Sequence, residues 1–161
     1  MTQQFKFGEI DGIIVKPLQK FSDSRGWLLE LFREDEIDKN FLPKMSYISM
    51  TNSGVVRGPH EHKDQADMFI FLESSKFKLY LWDNRTKSKT YLNKKIIEVG
   101  EKLPSMVIIP PGIVHAYKNI GDGNGITLNF PNKLFGGFNK KEVVDEVRHE
   151  SNPNSPFKID E

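Results

Sequence analysis

Apolar residues in this chain come in short runs, each closed by turn-forming residues. Ile13-Ile14-Val15 stops at Lys16-Pro17, and Trp27-Leu28-Leu29-Glu30-Leu31-Phe32 follows the turn sequence Asp23-Ser24-Arg25-Gly26. Tyr47 to Met50 and Val55-Val56 flank Thr51-Asn52-Ser53-Gly54. Met68 to Leu72 is apolar throughout, the pattern of a strand covered on both faces. Phe77 to Trp82 alternates in part and ends at Asp83-Asn84-Arg85, and Ile96 to Val99 precedes Gly100. Met106 to Ile109 is halted by Pro110-Pro111-Gly112, and Ile126 to Phe130 by Pro131-Asn132. Short runs with turns at this spacing predict an all-β sandwich or barrel, with a jelly roll as the best single architecture. Only two stretches read as short helices. Glu34 to Asn40 is short and charged; Lys140 to Val147 reads as a single turn or an extended segment. No repeat, low-complexity tract or linker interrupts the chain, so a single domain over residues 1–161 is expected. Ser151 to Pro156 reads as an irregular tail lying across the body or a neighbouring subunit.

Bulk properties narrow the classes of function. A chain of 161 residues can bury about 70% of its unfolded surface, enough for a real core. Lys and Arg number 23 against 22 Asp and Glu. That balance gives no electrostatic footprint for nucleic acid or an anionic membrane. The basic stretches Lys87 to Lys95 and Lys133 to Lys141 read as solvated faces. With no cysteine, disulfide and thiolate chemistry are excluded, and a reducing compartment fits. Residues Met1 to Lys6 lack the apolar core of a secretory signal. No run approaches the ~20 apolar residues of a membrane span. A soluble cytoplasmic protein is the expectation.

Three of the four histidines fall in two segments. Gly54-Val55-Val56-Arg57-Gly58-Pro59-His60-Glu61-His62 is followed by Asp67, and Pro110-Pro111-Gly112-Ile113-Val114-His115 by Asn119. Imidazole suits proton transfer near neutral pH and ligates transition metals. Residues two apart on a strand share a face, so His60 and His62 converge. Asp67 opens the next apolar run, where a hairpin return brings it alongside, and His115 follows a stiff turn. Asp67 also has an ordinary alternative, an ion pair with Lys63. His149, amid charged residues, is assigned no role.

The two segments resemble the two-part signature of the cupin superfamily. Gly54, His60 and His62 fit the first motif, with Asp67 in the place usually held by Glu; Pro110, Gly112, His115 and Asn119 fit the second. Ser74 and Pro104 stand where the motifs have a closing and a leading Gly. Further segments are similar to the dTDP-4-dehydrorhamnose 3,5-epimerases, the RmlC-like cupins: Phe21 to Phe32, Gly54 to His60, Trp82 to Tyr91 and Ile109 to Tyr117. They keep the family's order over roughly residues 20 to 130.

The resemblance implies an epimerase or isomerase acting on a nucleotide-linked 4-keto sugar, without a cofactor and as a homodimer paired through a sheet edge. It implies His60 as general base with Asp67 beside it. Arg25 and Arg57 would hold the diphosphate, Glu30 the nucleotide base, and His115 would line the pocket. The guanidinium suits that diphosphate task because it is planar and permanently charged.

Departures from the family all point one way. Asp67 stands where the family has a lysine, and His62 where it usually has Gln. The stretch Thr127 to Phe135 lacks the family's acid tyrosine, leaving Tyr47, Tyr80 and Tyr117 as candidates. The Gln and Asn expected within Met45 to Thr51 are absent. His60, His62, Asp67 and His115 together make a ligand set for a divalent transition metal such as Fe, Mn, Ni, Co or Zn. Three readings stay open: a metal-free nucleotide-sugar epimerase, a metal-dependent cupin enzyme, and a non-catalytic sugar-binding cupin.

Overall fold

The computed structural model describes residues 4–159. Strand β1 is Lys6–Phe7, β2 Ile14–Pro17, β3 Lys20–Asp23 and β4 Gly26–Leu29. Then come β5 Tyr47–Thr51, β6 Val56–Glu61, β7 Asp67–Phe71, β8 Lys76–Asp83 and β9 Asn93–Gly100. The last are β10 Ser105–Ile109, β11 Ile113–Asn119, β12 Gly125–Asn129 and β13 Val147–Arg148. One sheet runs β1-β9-β8-β11-β6-β13, the other β2-β10-β7-β12-β5, and β3 with β4 forms a separate hairpin. This is the all-β cupin jelly roll that the sequence predicts. No described helix is long and apolar enough to cross a membrane.

The alternation of side chains explains three layers of packing. Phe69, Phe71, Leu79, Leu81, Val107 and Tyr117 turn inward and fill the space between the sheets. Met68, Ile70, Met106 and Ile108 point the other way and are covered by Leu31, Phe32, Ile37 and Phe41 from the segment after β4. On the outer face of the six-stranded sheet, Tyr80, Trp82, Val114 and Ala116 pack against Phe157 of the tail. The continuous apolar run of β7 is therefore buried on both faces, as its pattern predicts. Each such side chain contributes about 1.5–3 kcal/mol. The tail lies across the chain's own body, with Phe157 set 5.8 Å from Trp82 and 4.5 Å from His149, ring centre to ring centre.

Several expectations need correction. Glu34 to Asn40 forms two separate 3-10 turns, Glu34–Glu36 and Lys39–Phe41, because Ile37 between them is extended and buried in the core. Of the two forms expected for Lys140 to Val147, the helical turn does not form beyond Lys140: the 3-10 turn Phe138–Lys140 ends at its first residue, Asn139 and Lys140 are left-handed, and Val147 joins β13. Val143 is 95% exposed there, so no buried apolar stripe holds a helix. Strands β1, β3 and β13 are too short and polar to read from pattern alone. Finally, β6 and β7 are not a hairpin. The chain crosses from one sheet to the other between them.

Candidate active site

That crossing builds the site. His60 on β6 sits in register with His115 on β11, and their rings meet edge to face at 4.4 Å between centroids. Gly58 makes this close pairing possible. Its φ is +85°, and a Cβ there would lie 2.6 Å from the His115 carbonyl oxygen and 3.1 Å from His60 Nδ1. His62 follows the end of β6, its ring centre 5.7 Å from that of His60. Asp67 arrives from the opposite sheet, at the start of β7. One ligand-type atom from each of His60, His62, Asp67 and His115 falls within 4.8 Å of the others. The sequence-predicted cluster is therefore a cluster in space, although Asp67 reaches it across the sandwich.

Asp67 is held at the centre and is 1% exposed. Gln65 Nε2 and Asn129 Nδ2 each donate to its Oδ1 at 3.0 Å. Its Oδ2 faces His62 Nε2 at 3.0 Å and His115 Nε2 at 3.3 Å. Both imidazoles use their other nitrogen on backbone: His115 Nδ1 donates to the Ile113 carbonyl at 3.0 Å, and His62 Nδ1 to the Asp145 carbonyl. Neither Asp67 Oδ2 nor His115 Nε2 completes an aligned hydrogen bond, although both are buried. Asp67 is not paired with Lys63; only the backbone N–H of Lys63 is engaged, by the Asp145 carboxylate.

These contacts split the histidines electrostatically. Burial, reinforced by the neighbouring His115 and His62, pushes the His60 pKa down to about 2 and keeps its ring neutral. For His62, burial also disfavours the charge, but the close, negatively charged Asp67 carboxylate outweighs it and raises the pKa. Burial likewise opposes ionisation of Asp67, yet the two imidazoles hold its carboxyl well below the usual range.

A cavity of about 1120 Å³ opens over His60 and His62, bounded by Tyr47 and Ser49 of β5, Arg57, and the 131–150 segment. Asp67 and His115 lie behind this wall. The 131–150 segment is fixed by Asp145, whose carboxylate accepts from the backbone N–H groups of Lys63, Asp64 and Gln65 at 2.8, 2.8 and 2.9 Å. Arg57 donates to Thr51 Oγ1 and the Met50 carbonyl, both at 2.8 Å, which aims its guanidinium along the cavity wall. Arg25 and Glu30 do not reach this cavity within one chain. Arg25 stands on the β3–β4 turn, 87% exposed and paired with Asp23 at 2.6 Å, and Glu30 is exposed just beyond β4.

The structure also adds residues. Tyr47 and Tyr117 border the cavity, whereas Tyr80 is buried in the outer cluster with Trp82. Asn129 Nδ2 donates to the Tyr47 hydroxyl at 2.7 Å as well as to Asp67. Burial of that hydroxyl raises the Tyr47 pKa to about 12. His149 is structural, bonded to Glu61 at 2.9 Å beneath Phe157. Gln65, Asn129 and Asp145 lack any short-range motif. Each acts across a large gap in sequence or through a side chain that is ordinary in loops and strands.

A jelly roll whose open end carries histidines from two motifs is a cupin, and the sugar-epimerase branch of that class fits a wall of Arg57 and His60 with His115 behind it. The chain matches the dTDP-4-dehydrorhamnose 3,5-epimerase family model over residues 8–132 and belongs to that family. It is similar to the probable low-salt glycan biosynthesis epimerase Agl13 of Haloferax volcanii, 35% identical over 127 residues, covering 78% of this chain and 81% of that one. It is also similar to the spore coat polysaccharide biosynthesis protein SpsL of Bacillus subtilis, 36% identical over 115 residues, covering 70% and 74%. In fold it resembles the dTDP sugar isomerase of Desulfovibrio desulfuricans G20, with a TM-score of 0.78 at 19% identity, covering 92% of this chain and 91% of that one. The protein is thus an enzyme of the nucleotide-sugar epimerase or isomerase type.

Proposed function

We propose that the chain inverts configuration at carbon beside the keto group of a dTDP-linked 4-keto-6-deoxyhexose, with His60 as general base. One observation carries this assignment. Two adjacent imidazoles stand in the cavity wall in different settings: His62 points Nε2 at the Asp67 carboxylate from 3.0 Å, which favours its cation, while His60 has no such partner among the described residues. Environments that push neighbouring pKa values apart mark acid–base roles. Among the described residues the His60 ring makes no hydrogen bond, so its lone pair is free to take a proton. As the C–H bond breaks, its electron pair enters the new C=C bond and charge moves to the carbonyl oxygen. His62, backed by Asp67, stabilises that enolate in place of an ammonium. Arg57 binds the diphosphate. The test is incubation of the protein in ²H₂O with a panel of dTDP-4-keto sugars. Deuterium entering beside the keto group is expected, and absence of both binding and exchange across the panel would refute the proposal.

A second reading is favoured by a specific geometry. His62 and His115 each donate through Nδ1 to a backbone carbonyl and aim Nε2 at the same carboxylate oxygen, as metal-ligating histidines do. The unsatisfied Asp67 Oδ2 and His115 Nε2 fit a divalent transition ion held by His60, His62, Asp67 and His115. Bound there, such an ion would supply Lewis-acid polarisation of a substrate oxygen. Elemental analysis of untagged protein tests it, along with the visible spectrum after Co²⁺ addition. Less than about 0.1 equivalent before and after soaking excludes a stable site.

We further propose that the enzyme works as a homodimer. Strand β5 is a sheet edge, and its outward Ile48 and Met50 are 66% and 48% exposed. The β3–β4 hairpin leaves Trp27 and Leu28 60% and 63% exposed. Unpaired edges and apolar faces of this kind invite a second copy. That copy would bring Arg25 and Glu30 to its neighbour's cavity. Analytical ultracentrifugation distinguishes the cases, since a monomer at all accessible concentrations contradicts the proposal.

A further inference from the structure

We infer that His149 is a positioning residue for the base: its bond to Glu61, held in place by Phe157 of the tail, sets the strand that presents His60 to the substrate. The inference rests on the reading of His60 as general base. The His60 ring makes no hydrogen bond among the described residues. Its recorded ring contacts are with His115 and His62, at 4.4 and 5.7 Å between centroids. A side chain held by packing alone takes its direction from its own backbone. For His60 that backbone is the end of β6, so whatever fixes the end of β6 aims the lone pair.

The end of β6 is held from behind. Successive strand residues face opposite ways, so Glu61, between His60 and His62, points to the outer face of its sheet. There His149 Nε2 lies 2.9 Å from Glu61 Oε1. A carboxylate oxygen accepts, so the imidazole donates. Asn84 Nδ2 donates to the same carboxylate at 3.0 and 3.2 Å. The backbone N–H groups of His149 and Glu150 both donate to the Pro59 carbonyl, at 2.9 and 3.1 Å. Val147 and Arg148 of β13 pair with Glu61 and His60. Residues 147–150 therefore hold Pro59, His60 and Glu61, and His149 does so through side chain and backbone together.

The tail completes the hold. Phe157 is buried, and its ring centre lies 4.5 Å from that of His149, 5.3 Å from that of Phe5 and 5.8 Å from that of Trp82. It backs the imidazole while resting on β8 and the start of the chain. The His149 and Glu61 side chains are only 17% and 13% exposed, so loss of either partner leaves the other poorly solvated. Neighbouring candidates act elsewhere. The Arg148 guanidinium is paired with Glu146 at 2.6 Å, and Asp145 holds His62 and the turn from Lys63 to Gln65. The segment that supplies the hold lies beyond residue 132, where the family match ends.

The experiment compares His149→Ala, His149→Gln and Phe157→Ala with wild type, each assayed well below its own Tm. The readouts are kcat and KM for deuterium entry into a dTDP-4-keto sugar, and the ¹³C–¹H ring signals of the histidines. In His149→Ala kcat is expected to fall about tenfold or more with KM within about twofold, since misplacing a reacting group costs rate rather than binding. His149→Gln keeps an N–H donor near the place of Nε2 and should restore kcat to within about threefold of wild type. The His60 and His115 ring signals should shift in His149→Ala and return in His149→Gln. Wild-type kcat with unshifted His60 signals in His149→Ala overturns the inference. So does a loss that His149→Gln leaves unrestored, or one expressed in KM rather than kcat. Should His149→Ala fail to fold, Phe157→Ala decides: unchanged kcat and His60 signals there overturn the inference, and a lowered kcat with shifted signals supports it. A wild-type protein that exchanges no deuterium overturns the epimerase reading instead, and the ring signals still test the positioning of His60.

Discussion

Gly58 offers a graded test of how tightly the site is built. Replacing it with Ala places a Cβ 2.6 Å from the His115 carbonyl oxygen, 3.1 Å from His60 Nδ1 and 3.2 Å from Ala116 Cα. Ordinary contact begins at 3.4 Å, so the worst overlap is about 0.8 Å. The obstacle is backbone, and β11 cannot retreat because it is paired with β8 on one side and β6 on the other. Overpacking of this kind costs about 1–3 kcal/mol, and the φ of +85° adds about 1–2 kcal/mol for a residue with a Cβ. The expected loss is therefore about 2–5 kcal/mol, or a fall in Tm of at least ~5 °C for a domain of this size. Two other glycines isolate the contributions. Gly54, with φ +76° and nothing within 4 Å, should lose only the backbone part. Gly123, with nothing within 4 Å and no left-handed φ, should change by less than about 0.5 kcal/mol. Displacement of the His60 ring by even part of an ångström should also lower kcat by roughly tenfold. Urea unfolding of the three variants, with turnover measured alongside, checks the series. If Gly58→Ala is no less stable than Gly54→Ala, the contact argument fails.

Two further outcomes concern the scaffold. Burial disfavours the Asp83 charge, but hydrogen bonds from Arg85, Ser88 and Thr90 prevail and lower its pKa to about 2. A depressed folded-state pKa stabilises the fold above the unfolded value of about 4, and that contribution disappears as pH falls toward 2. Asp83→Asn should therefore cost about 1–2 kcal/mol at pH 7, with the difference from wild type shrinking below pH 4; a gap independent of pH argues against the charged network. Asp145→Ala removes the acceptor of three backbone N–H groups, so the amides of Lys63, Asp64 and Gln65 should lose protection in hydrogen exchange by about tenfold or more. Unchanged protection there would show that the 131–150 segment is held by something else.

Much of this site could be read from the chain because its histidines lie in short motifs. His60 and His62 share a face by strand geometry, and the Pro110-Pro111-Gly112 turn sets His115 on the adjoining strand. Asp67 was legible as a member but not in its route, because sheet membership is a long-range property. Its neighbours in sequence suggested a hairpin, whereas β7 belongs to the facing sheet. The partners of the cluster were not legible at all. Asp145 lies 83 residues from His62 and Asn129 lies 62 from Asp67, with no periodicity joining them. The helix expected at Glu34 to Asn40 was misread because a charged stretch satisfies helix propensity locally while Ile37 is drawn extended into the core; in Lys140 to Val147, Val143 has nothing to pack against and no helical turn forms there. Arg25 and Glu30 carry a family resemblance, yet within one chain neither lines the cavity.

The central claim is that His60 takes a proton from carbon. Its most direct test is the rate of deuterium entry beside the keto group of a dTDP-4-keto sugar in ²H₂O, compared between wild type and His60→Asn. The site geometry predicts a loss of at least ~100-fold in the variant, with nucleotide binding and Tm retained. Exchange by His60→Asn at the wild-type rate would contradict it.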